Sequence, residues 1–287
     1  MAILVIGGPT AAGKTAAAIH VACLWGARIV GADAMQVYRG LDVGTAKPPR
    51  SVLRRFPHAC VDVRELDEEF SVADFVATVD EVAQQTERIV VVGGTPFYLR
   101  ALLRPLAPLP GANKALRAEL DALADPHGAL RDVDPVLAER LHPNDRVRIV
   151  RALEVARLTG RPLSEIQRED TPPHRAIEAV WIDRPDLDAR IDARLHRMVD
   201  RGYFEEIVRV LAAGATGAEK PLRSFGYVHL VAWARGEIGR EEAIRRTSRD
   251  TRRLARKQRT WARGLGLSPV EDRKAVLIAA ERAFGTP

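Results

Sequence analysis

The chain has 287 residues, of which 46% are hydrophobic and 29% carry a charge. This length allows one large domain or one domain with an insertion, and the composition is that of an ordinary globular protein. No apolar run approaches the roughly 20 residues of a membrane span, so no membrane partner is expected. A net charge of +6, from 44 basic and 38 acidic residues, favours a polyanionic partner without identifying one.

The cysteines and the first residues bear on the compartment. Cys23 and Cys60 have no paired spacing and no neighbouring His or Cys to complete a metal site. They indicate free thiols in a reducing cytosol, so a cytoplasmic protein is expected. The opening segment MAILVIGG is apolar but short and runs directly into glycines, which is typical of a buried strand and not of a signal peptide.

Strands and helices alternate through the first hundred residues. The continuous apolar runs at 2–8, 27–33 and 87–95 predict strands of a buried parallel sheet. An Ala-rich helix over 14–25, closed by Gly26, connects the first two strands. Strand, helix and strand at this spacing predict right-handed βαβ units and a doubly wound α/β core.

The pattern changes after the segment RPLAPLPG. From residue 112 to about 172 the sequence predicts helices and no strand, with breaks at Pro126, Pro135 and Pro143. A β pattern returns in AIEAVWIDR, and the remainder is largely helical. We therefore expect a core interrupted by a helical insertion, with bounds of 1–110 for the first part of the core, 111–172 for the insertion and 173–287 for the second part.

A phosphate-loop pattern, G-x-x-x-x-G-K-[ST], follows the first strand and precedes the first helix. In such a loop, backbone N–H groups and the helix N-terminus surround phosphate oxygens. Lys14 adds a point charge, and the Thr15 hydroxyl is suited to Mg²⁺. These flanks disfavour a chance match in a glycine turn. The residues expected to bind the diphosphate are Gly8, Pro9, Thr10, Ala11, Ala12, Gly13, Lys14 and Thr15.

Two more candidates stand where predicted strands end. Asp33 follows the second strand, at the edge that forms the ligand crevice of open α/β sheets. Its carboxylate suits a general base or a metal-placing group, and the alternative is a helix cap. The strand at 87–95 ends in Gly-Gly-Thr95, where hydrolytic phosphate-loop proteins usually carry an acidic residue. This argues against an ATPase motor or GTPase switch and favours a transferase with a diphosphate leaving group.

Seven segments occur in the order typical of one family, the tRNA dimethylallyltransferases. They are GPTAAGKT, DAMQVYRGLDVGTAKP, FPHACVDV with FSVADF, VVGGTPFYLRALL, LHPNDRVRIVRALEV, RSFGY and TRRLARKQRTWARG. The resemblance runs from Ile6 to about Gly264. It implies a P-loop-containing nucleoside triphosphate hydrolase-like core, a parallel sheet flanked by helices, with a helical insertion domain.

The resemblance also implies the reaction. A dimethylallyl group passes from dimethylallyl diphosphate to N6 of the adenosine at tRNA position 37, beside the anticodon. The products are N6-(dimethylallyl)adenosine and diphosphate, and the phosphate loop holds the donor and not ATP. Mg²⁺ is the implied cofactor. The implied partners are dimethylallyl diphosphate and the anticodon stem-loop of tRNA, and a monomer is expected.

Residue by residue, the family pattern places Asp33 as the general base on N6, with Thr95 and Arg223 near the diphosphate and the reacting centre. In this chain Ala12 and Ala34 stand where Ser is usual in the family. The residues expected to contact tRNA are Asp33, Ala34, Met35, Gln36, Thr95, Arg117, Val147, Arg148, Ile149, Val150, Arg151, Arg252 and Arg256.

A strongly basic segment near the C-terminus predicts an RNA-binding helix. Six arginines recur at alternating intervals of four and three and share one helix face: Arg245, Arg249, Arg252, Arg256, Arg259 and Arg263. Ile244, Leu254 and Trp261 fall opposite them and are expected to dock on the core. Such a one-signed face favours phosphate contacts, with a merely solvated face as the alternative.

Three other functions are alternatives to the tRNA enzyme. A phosphate-loop kinase needs an ATP lid and has no place for the GTAKP segment or the basic helix. A prenyltransferase of free AMP or ADP shares the catalytic core but has no need of a large positive face. A non-enzymatic RNA-binding module has no use for an intact Lys14–Thr15 pair facing Asp33. The pattern therefore favours the tRNA enzyme.

Overall fold

The computed structural model describes residues 1–104, 109–168 and 176–287. Its strands are β1 (Ala2–Gly7), β2 (Arg28–Ala32), β3 (His58–Ala59), β4 (Arg88–Gly93), β5 (Ala176–Ile182) and β6 (Pro269–Val270). The first helices are α1 (Lys14–Trp25), α2 (Arg50–Arg55), α3 (Val72–Gln85), α4 (Pro96–Leu103), α5 (Lys114–Asp121), α6 (Pro126–Val133) and α7 (Pro135–Arg140). The later ones are α8 (Arg146–Thr159), α9 (Leu163–Ile166), α10 (Leu187–Asp200), α11 (Tyr203–Ala212), α12 (Tyr227–Ala234), α13 (Arg240–Gly264) and α14 (Arg273–Phe284).

The strands form one parallel sheet in the order β3-β2-β4-β1-β5-β6. β1 lies in the interior between β4 and β5, with Ile3 opposite Ile89 and Ile177. The predicted α/β class and the four predicted strands are confirmed. β3 and β6 have two residues each and lie at the sheet edges, so no run of hydrophobic residues marks them in the sequence.

Both faces of the sheet are covered, which explains why its strands read as continuous apolar runs. Along β1, Ile3 and Val5 belong to one buried cluster, while Leu4 and Ile6 belong to the other. β4 divides in the same way, because successive side chains of a strand point to opposite faces. This doubly covered sheet holds the carboxyl ends of β1, β2 and β4 in fixed register.

The chain divides into two compact units, residues 1–103 with 174–287, and residues 104–173. The second unit contains α5 to α9, and no strand occurs among its described residues. Pro126 and Pro135 open α6 and α7, where a missing N–H costs nothing. The predicted insertion bounds of 111–172 stay a prediction, and the boundary near residue 172 lies outside the described residues.

Among the described residues, no helix combines the length and the apolar character needed to cross a membrane.

Candidate active site

A cavity of about 250 Å³ lies where β1, β2 and β4 end, within the first unit. Its wall combines the phosphate loop, the residues after β2 and β4, and one side of α13. The lining residues with polar or charged side chains include Thr10, Lys14, Thr15, Asp33, Gln36, Arg194 and Gln258. The predicted phosphate loop and Asp33 therefore face the same space.

The phosphate loop is shaped by its glycines. A Cβ on Gly8 would lie 2.4 Å from the carbonyl oxygen of Ile182, so only glycine lets the loop pass the end of β5. Gly13 has a φ of +96° and brings the chain into α1. The N-cap residue Gly13 has no side chain that could cap this helix, so the first N–H groups of α1 are available to an anion.

Lys14 is the cation of the phosphate loop, and its surroundings lower its pKa. Its ammonium donates a hydrogen bond to the carbonyl of Pro9 at 2.7 Å. Burial, and secondarily the positive Arg194, lower the pKa of Lys14 from 10.5 to about 8, while the carboxylate of Asp33 acts in the opposite direction. A diphosphate in the loop would keep Lys14 in its ammonium form to higher pH, because a neighbouring anion raises the pKa of a lysine.

Arg194 on α10 is a second cation at the loop that the sequence analysis missed. Its guanidinium donates to the Thr10 hydroxyl at 3.2 Å, and Arg190 on the same helix donates to the carbonyl of Ala11 at 2.9 Å. Burial lowers the pKa of Arg194 and the carboxylate of Asp33 raises it. The sequence signal that could have indicated Arg194 is a row of arginines on one helix face: Arg190, Arg194, Arg197 and Arg201.

Hydrogen bonds connect the loop that carries Asp33 with Thr95 at the end of β4. Oδ1 of Asp33 accepts from the backbone N–H of Met35 at 2.9 Å. The hydroxyl of Thr95 accepts from the N–H of Ala34 at 3.0 Å, and the N–H of Thr95 donates to Ala32 at 3.1 Å. Thr95 thus ties the end of β4 to the loop that carries Asp33.

The segment after Asp33 builds one wall of the cavity. Met35 and Gln36 both line it, and the Gln36 amide donates to the carbonyl of Thr45 at 3.1 Å. Lys47, buried beside this wall, donates to the carbonyl of Tyr38 at 2.5 Å and to the carboxylates of Asp42 and Asp62 at 2.8 and 2.5 Å.

A buried carboxylate, also missed in the sequence, holds the turn of this wall. Glu206 on α11 is 1% exposed. It accepts hydrogen bonds from the N–H groups of Asp42, Val43 and Gly44 at 2.7, 2.6 and 3.0 Å, and from the Tyr227 hydroxyl at 2.7 Å. The GTAK turn is therefore packed against the fold, and Gly44, Thr45 and Ala46 line the cavity.

Arg223 is exposed and does not line this cavity, although its neighbours Ser224 and Phe225 do. Its catalytic assignment stays a prediction.

The predicted basic helix is α13, and it has two faces. Thr247, Thr251, Leu254 and Gln258 line the cavity from one side. Ile244 packs against the core as expected. The expectation for Trp261 is wrong, because this side chain is 38% exposed, while the next residue, Ala262, takes the buried position in the last turn of the helix.

Part of the arginine stripe is used inside the protein. Arg252 pairs with Asp192 of α10, and Arg259 pairs with Asp183 after β5 at 2.7 Å. Arg256 and Arg263 are exposed and have no ion pair within the part of the chain that the structure describes. Arg253 and Lys257, which are also exposed, lie next to them. The exposed positive surface therefore includes Arg253 and Lys257 and only part of the arginine face that the spacing predicts.

In the second unit, two of the predicted tRNA contacts hold a buried carboxylate. Glu154 is 0% exposed and accepts two hydrogen bonds from Arg117 at 3.0 Å, one from Arg151 and one from the N–H of Asn113 at 2.7 Å. Burial acts to raise the pKa of Glu154, but the bonds from Arg117 and Arg151 leave it lowered overall. Both arginines therefore stabilise this unit, whatever else they contact.

The α8 segment predicted to meet tRNA has a mixed orientation. Val147 is 82% exposed, and Arg148 is exposed beside Asp145 at 3.2 Å. Ile149 and Val150 are 1% and 6% exposed and belong to the core of the unit. These two side chains are therefore not available for a contact with tRNA, because both are buried in that core. The tRNA role of the segment stays a prediction.

Mg²⁺, which the resemblance implies, fits the residues at the cavity. The Thr15 hydroxyl and the Asp33 carboxylate supply hard oxygen donors beside the phosphate loop. Among the described residues, no group of three His, Cys, Asp or Glu could hold a metal. This suits an ion that keeps several waters and binds mainly through a ligand's phosphates.

The fold and the cavity define a class of protein. β1 leads into a phosphate loop with a lysine and a facing carboxylate, and β4 ends in Gly-Gly-Thr without an acidic residue. This is a phosphate-loop transferase. The family model for IPP transferase matches residues 36–265, more than half of the chain, and the chain belongs to this family.

Individual relatives and solved structures are consistent with this family assignment. A tRNA dimethylallyltransferase 2 of Geotalea uraniireducens is 42% identical over 90% of this chain and 88% of its own length. The crystal structure of a full-length tRNA isopentenylpyrophosphate transferase from Bacillus halodurans is similar with a TM-score of 0.68 and 29% identity, covering 98% of this chain and 97% of that one. A eukaryotic dimethylallyltransferase acting on tRNA shares the fold at a TM-score of 0.84 and 22% identity, covering 99% of this chain and 80% of the other.

Proposed function

We propose that this protein transfers the dimethylallyl group of dimethylallyl diphosphate to N6 of the adenosine at tRNA position 37, giving N6-(dimethylallyl)adenosine and diphosphate. The family carries the reaction class, since the relatives are named for prenyl transfer to tRNA. The single observation that carries the residue assignments is the cavity shared by Lys14 and Asp33. This shared space supports assigning diphosphate binding to the loop and proton acceptance to Asp33.

The leaving group is stabilised by the loop. When the allylic C–O bond breaks, its electron pair passes to the diphosphate and the prenyl group gains cationic character. The N–H groups at the start of α1, the ammonium of Lys14 and the guanidinium of Arg194 are fixed donors for that charge. The oxygens of Thr15 and Asp33 would hold Mg²⁺, which would supply further stabilisation of the charge on the leaving diphosphate.

Asp33 accepts the proton of the attacking amine. N6 forms the new C–N bond and its proton passes to Asp33, which offsets the poor nucleophilicity of an adenine amino group. Oδ1 is engaged by Met35, whereas Oδ2 has no hydrogen bond to any described residue. The carboxylate is thus oriented by one oxygen and offers the other to the substrate.

α13 connects the two substrates. Its inner residues Thr251 and Leu254 line the cavity, while Arg253, Arg256 and Lys257 are exposed. An RNA backbone along the exposed cations would bring the anticodon loop to the cavity mouth, and the base would leave its stack to enter. The free thiols Cys23 and Cys60 fit a reducing cytoplasm. We place the enzyme there, as a monomer.

The test is incubation of the protein with dimethylallyl diphosphate, Mg²⁺ and unmodified tRNA, followed by digestion and nucleoside mass analysis. The proposal expects one prenyl group on the adenosine beside the anticodon, and an Asp33→Asn variant that turns over about 10² to 10⁴ times more slowly. ATP-dependent phosphorylation without prenyl transfer would contradict the proposal and support a kinase.

A further inference from the structure

Gln258 makes a contact that the proposed reaction does not use. Its side chain is 6% exposed on the inner face of α13. Oε1 accepts a hydrogen bond from the backbone N–H of Thr10 at 3.0 Å, and Nε2 donates to the carbonyl of Gly94 at 2.7 Å. One amide therefore bridges the phosphate loop and the turn after β4.

The chemistry of this bridge selects an amide. The partner in the phosphate loop is a donor and the partner after β4 is an acceptor, so the bridging group must both accept and donate. A carboxylate cannot donate to Gly94 and an ammonium cannot accept from Thr10. A buried backbone group that loses its partner costs free energy, and the hydrogen bond to Gly94 is fully buried.

The packing around Gln258 leaves little freedom. A Cβ on Gly94 would lie 2.5 Å from Nε2 of Gln258 and 2.8 Å from the carbonyl oxygen of Gly8. The turn after β4 thus approaches the loop as closely as a backbone can. The loop is held on its other side by Arg190 and Arg194 of α10.

We propose that Gln258 is a positioning residue that fixes the phosphate loop against the turn Gly94–Thr95 and thereby sets the affinity for the diphosphate of the donor. The inference deepens the proposed function and rests on it for the identity of the donor. The phosphate loop binds through fixed backbone N–H groups, so a loop released on one side presents them less well to a diphosphate.

The test compares Gln258→Met with the wild-type protein. Methionine has a similar length and no hydrogen-bonding group at these distances, so it removes the bridge without opening a large space. Pyrophosphate affinity with Mg²⁺, measured by calorimetry in the absence of tRNA, should weaken about tenfold, as expected for one lost buried hydrogen-bond pair. The donor KM should rise in proportion, while tRNA affinity and kcat at saturating donor change little. A merely structural loss would instead lower Tm and weaken tRNA binding as well.

Two further variants keep the test decisive. Gln84→Met, on the exposed surface of α3, is the matched control and should leave pyrophosphate affinity unchanged. If Gln258→Met does not fold, Gln258→Asn keeps the amide on a shorter stem, and it should weaken pyrophosphate in the same direction.

Pyrophosphate affinity within about twofold of wild type in the folded variant overturns the inference. The proposed function can fail separately: a wild-type protein that binds pyrophosphate, responds to the substitution and does not prenylate tRNA supports the positioning role and contradicts the reaction. A wild-type protein that binds no pyrophosphate overturns both.

Discussion

The hydroxyl of Thr95 accepts a hydrogen bond from the backbone N–H of Ala34 at 3.0 Å, which joins the end of β4 to the residue after Asp33. This bond fixes the loop that carries the proposed base. We expect Thr95→Val to lower kcat by about ten- to a hundredfold, because a small displacement of a catalytic group is costly. Thr95→Ser keeps the hydroxyl and should retain most activity. Equal kcat values for the two variants in steady-state prenyl transfer would show that the bond has no such role.

The lowered pKa of Lys14 predicts a pH dependence of donor binding. Below pH 8 the ammonium is charged and attracts the diphosphate, and above that pH the free protein loses this charge. Pyrophosphate affinity should therefore fall as the pH rises through about 8, beyond what the ionisation of pyrophosphate explains.

Lys14→Arg is the matched variant for this pH dependence, since a guanidinium stays charged across the range. Subtracting its calorimetric pH profile from that of wild type removes the ionisation of the ligand. Parallel profiles would mean that Lys14 does not titrate near pH 8.

Arg194 is predicted to act on the donor and not on tRNA. Arg194→Gln removes a charge beside Thr10 and Asp33, so the KM for dimethylallyl diphosphate should rise about tenfold or more. Arg209→Gln, on the exposed side of α11, removes the same charge elsewhere and should leave this KM unchanged. The initial-rate comparison speaks against the assignment if both variants behave alike, or if the tRNA KM changes instead.

The exposed cations of α13 are predicted to bind RNA phosphates. Arg253→Gln combined with Arg256→Gln should weaken tRNA binding and reduce the slope of log K against log salt by about 0.7 to 0.9 per lost contact. Arg273→Gln with Lys274→Gln, on exposed α14 positions, gives the same change in net charge as a control. An unchanged salt slope in filter binding would identify a merely solvated surface.

Arg252 is a poorer choice for this experiment, because it pairs with Asp192. Changing it would disturb the packing of α10 on α13 and, through α10, the loop contacts of Arg190 and Arg194.

The site residues that can be predicted from the sequence lie in short continuous segments of the chain. The phosphate loop lies between β1 and α1 in consecutive residues, and Asp33 stands directly after an apolar strand. The order of motifs then identifies the family, and the alternation of strands and helices identifies the fold class.

The site residues that the sequence does not reveal are far along the chain from the groups they contact. Gln258 reaches Thr10 across 248 positions, and Arg194 reaches it across 184. Glu206 meets the turn at Asp42 across 164 positions. These are single polar side chains on helices whose local pattern is that of any amphipathic helix, and only the packing of α10, α11 and α13 reveals their partners. The ion pair of Arg252 and the exposure of Trp261 depend on the same packing.

The proposed function depends above all on the identity of the prenyl acceptor. The initial rate of prenyl transfer from dimethylallyl diphosphate should be measured with unmodified tRNA and with AMP, each over a range of concentrations, using one enzyme preparation. For the proposed tRNA enzyme, kcat/KM for tRNA should exceed that for AMP by several orders of magnitude, and the tRNA product should be prenylated on the adenosine beside the anticodon. A kcat/KM for AMP equal to or above that for tRNA would contradict the proposed function and assign the chain to free-nucleotide prenylation.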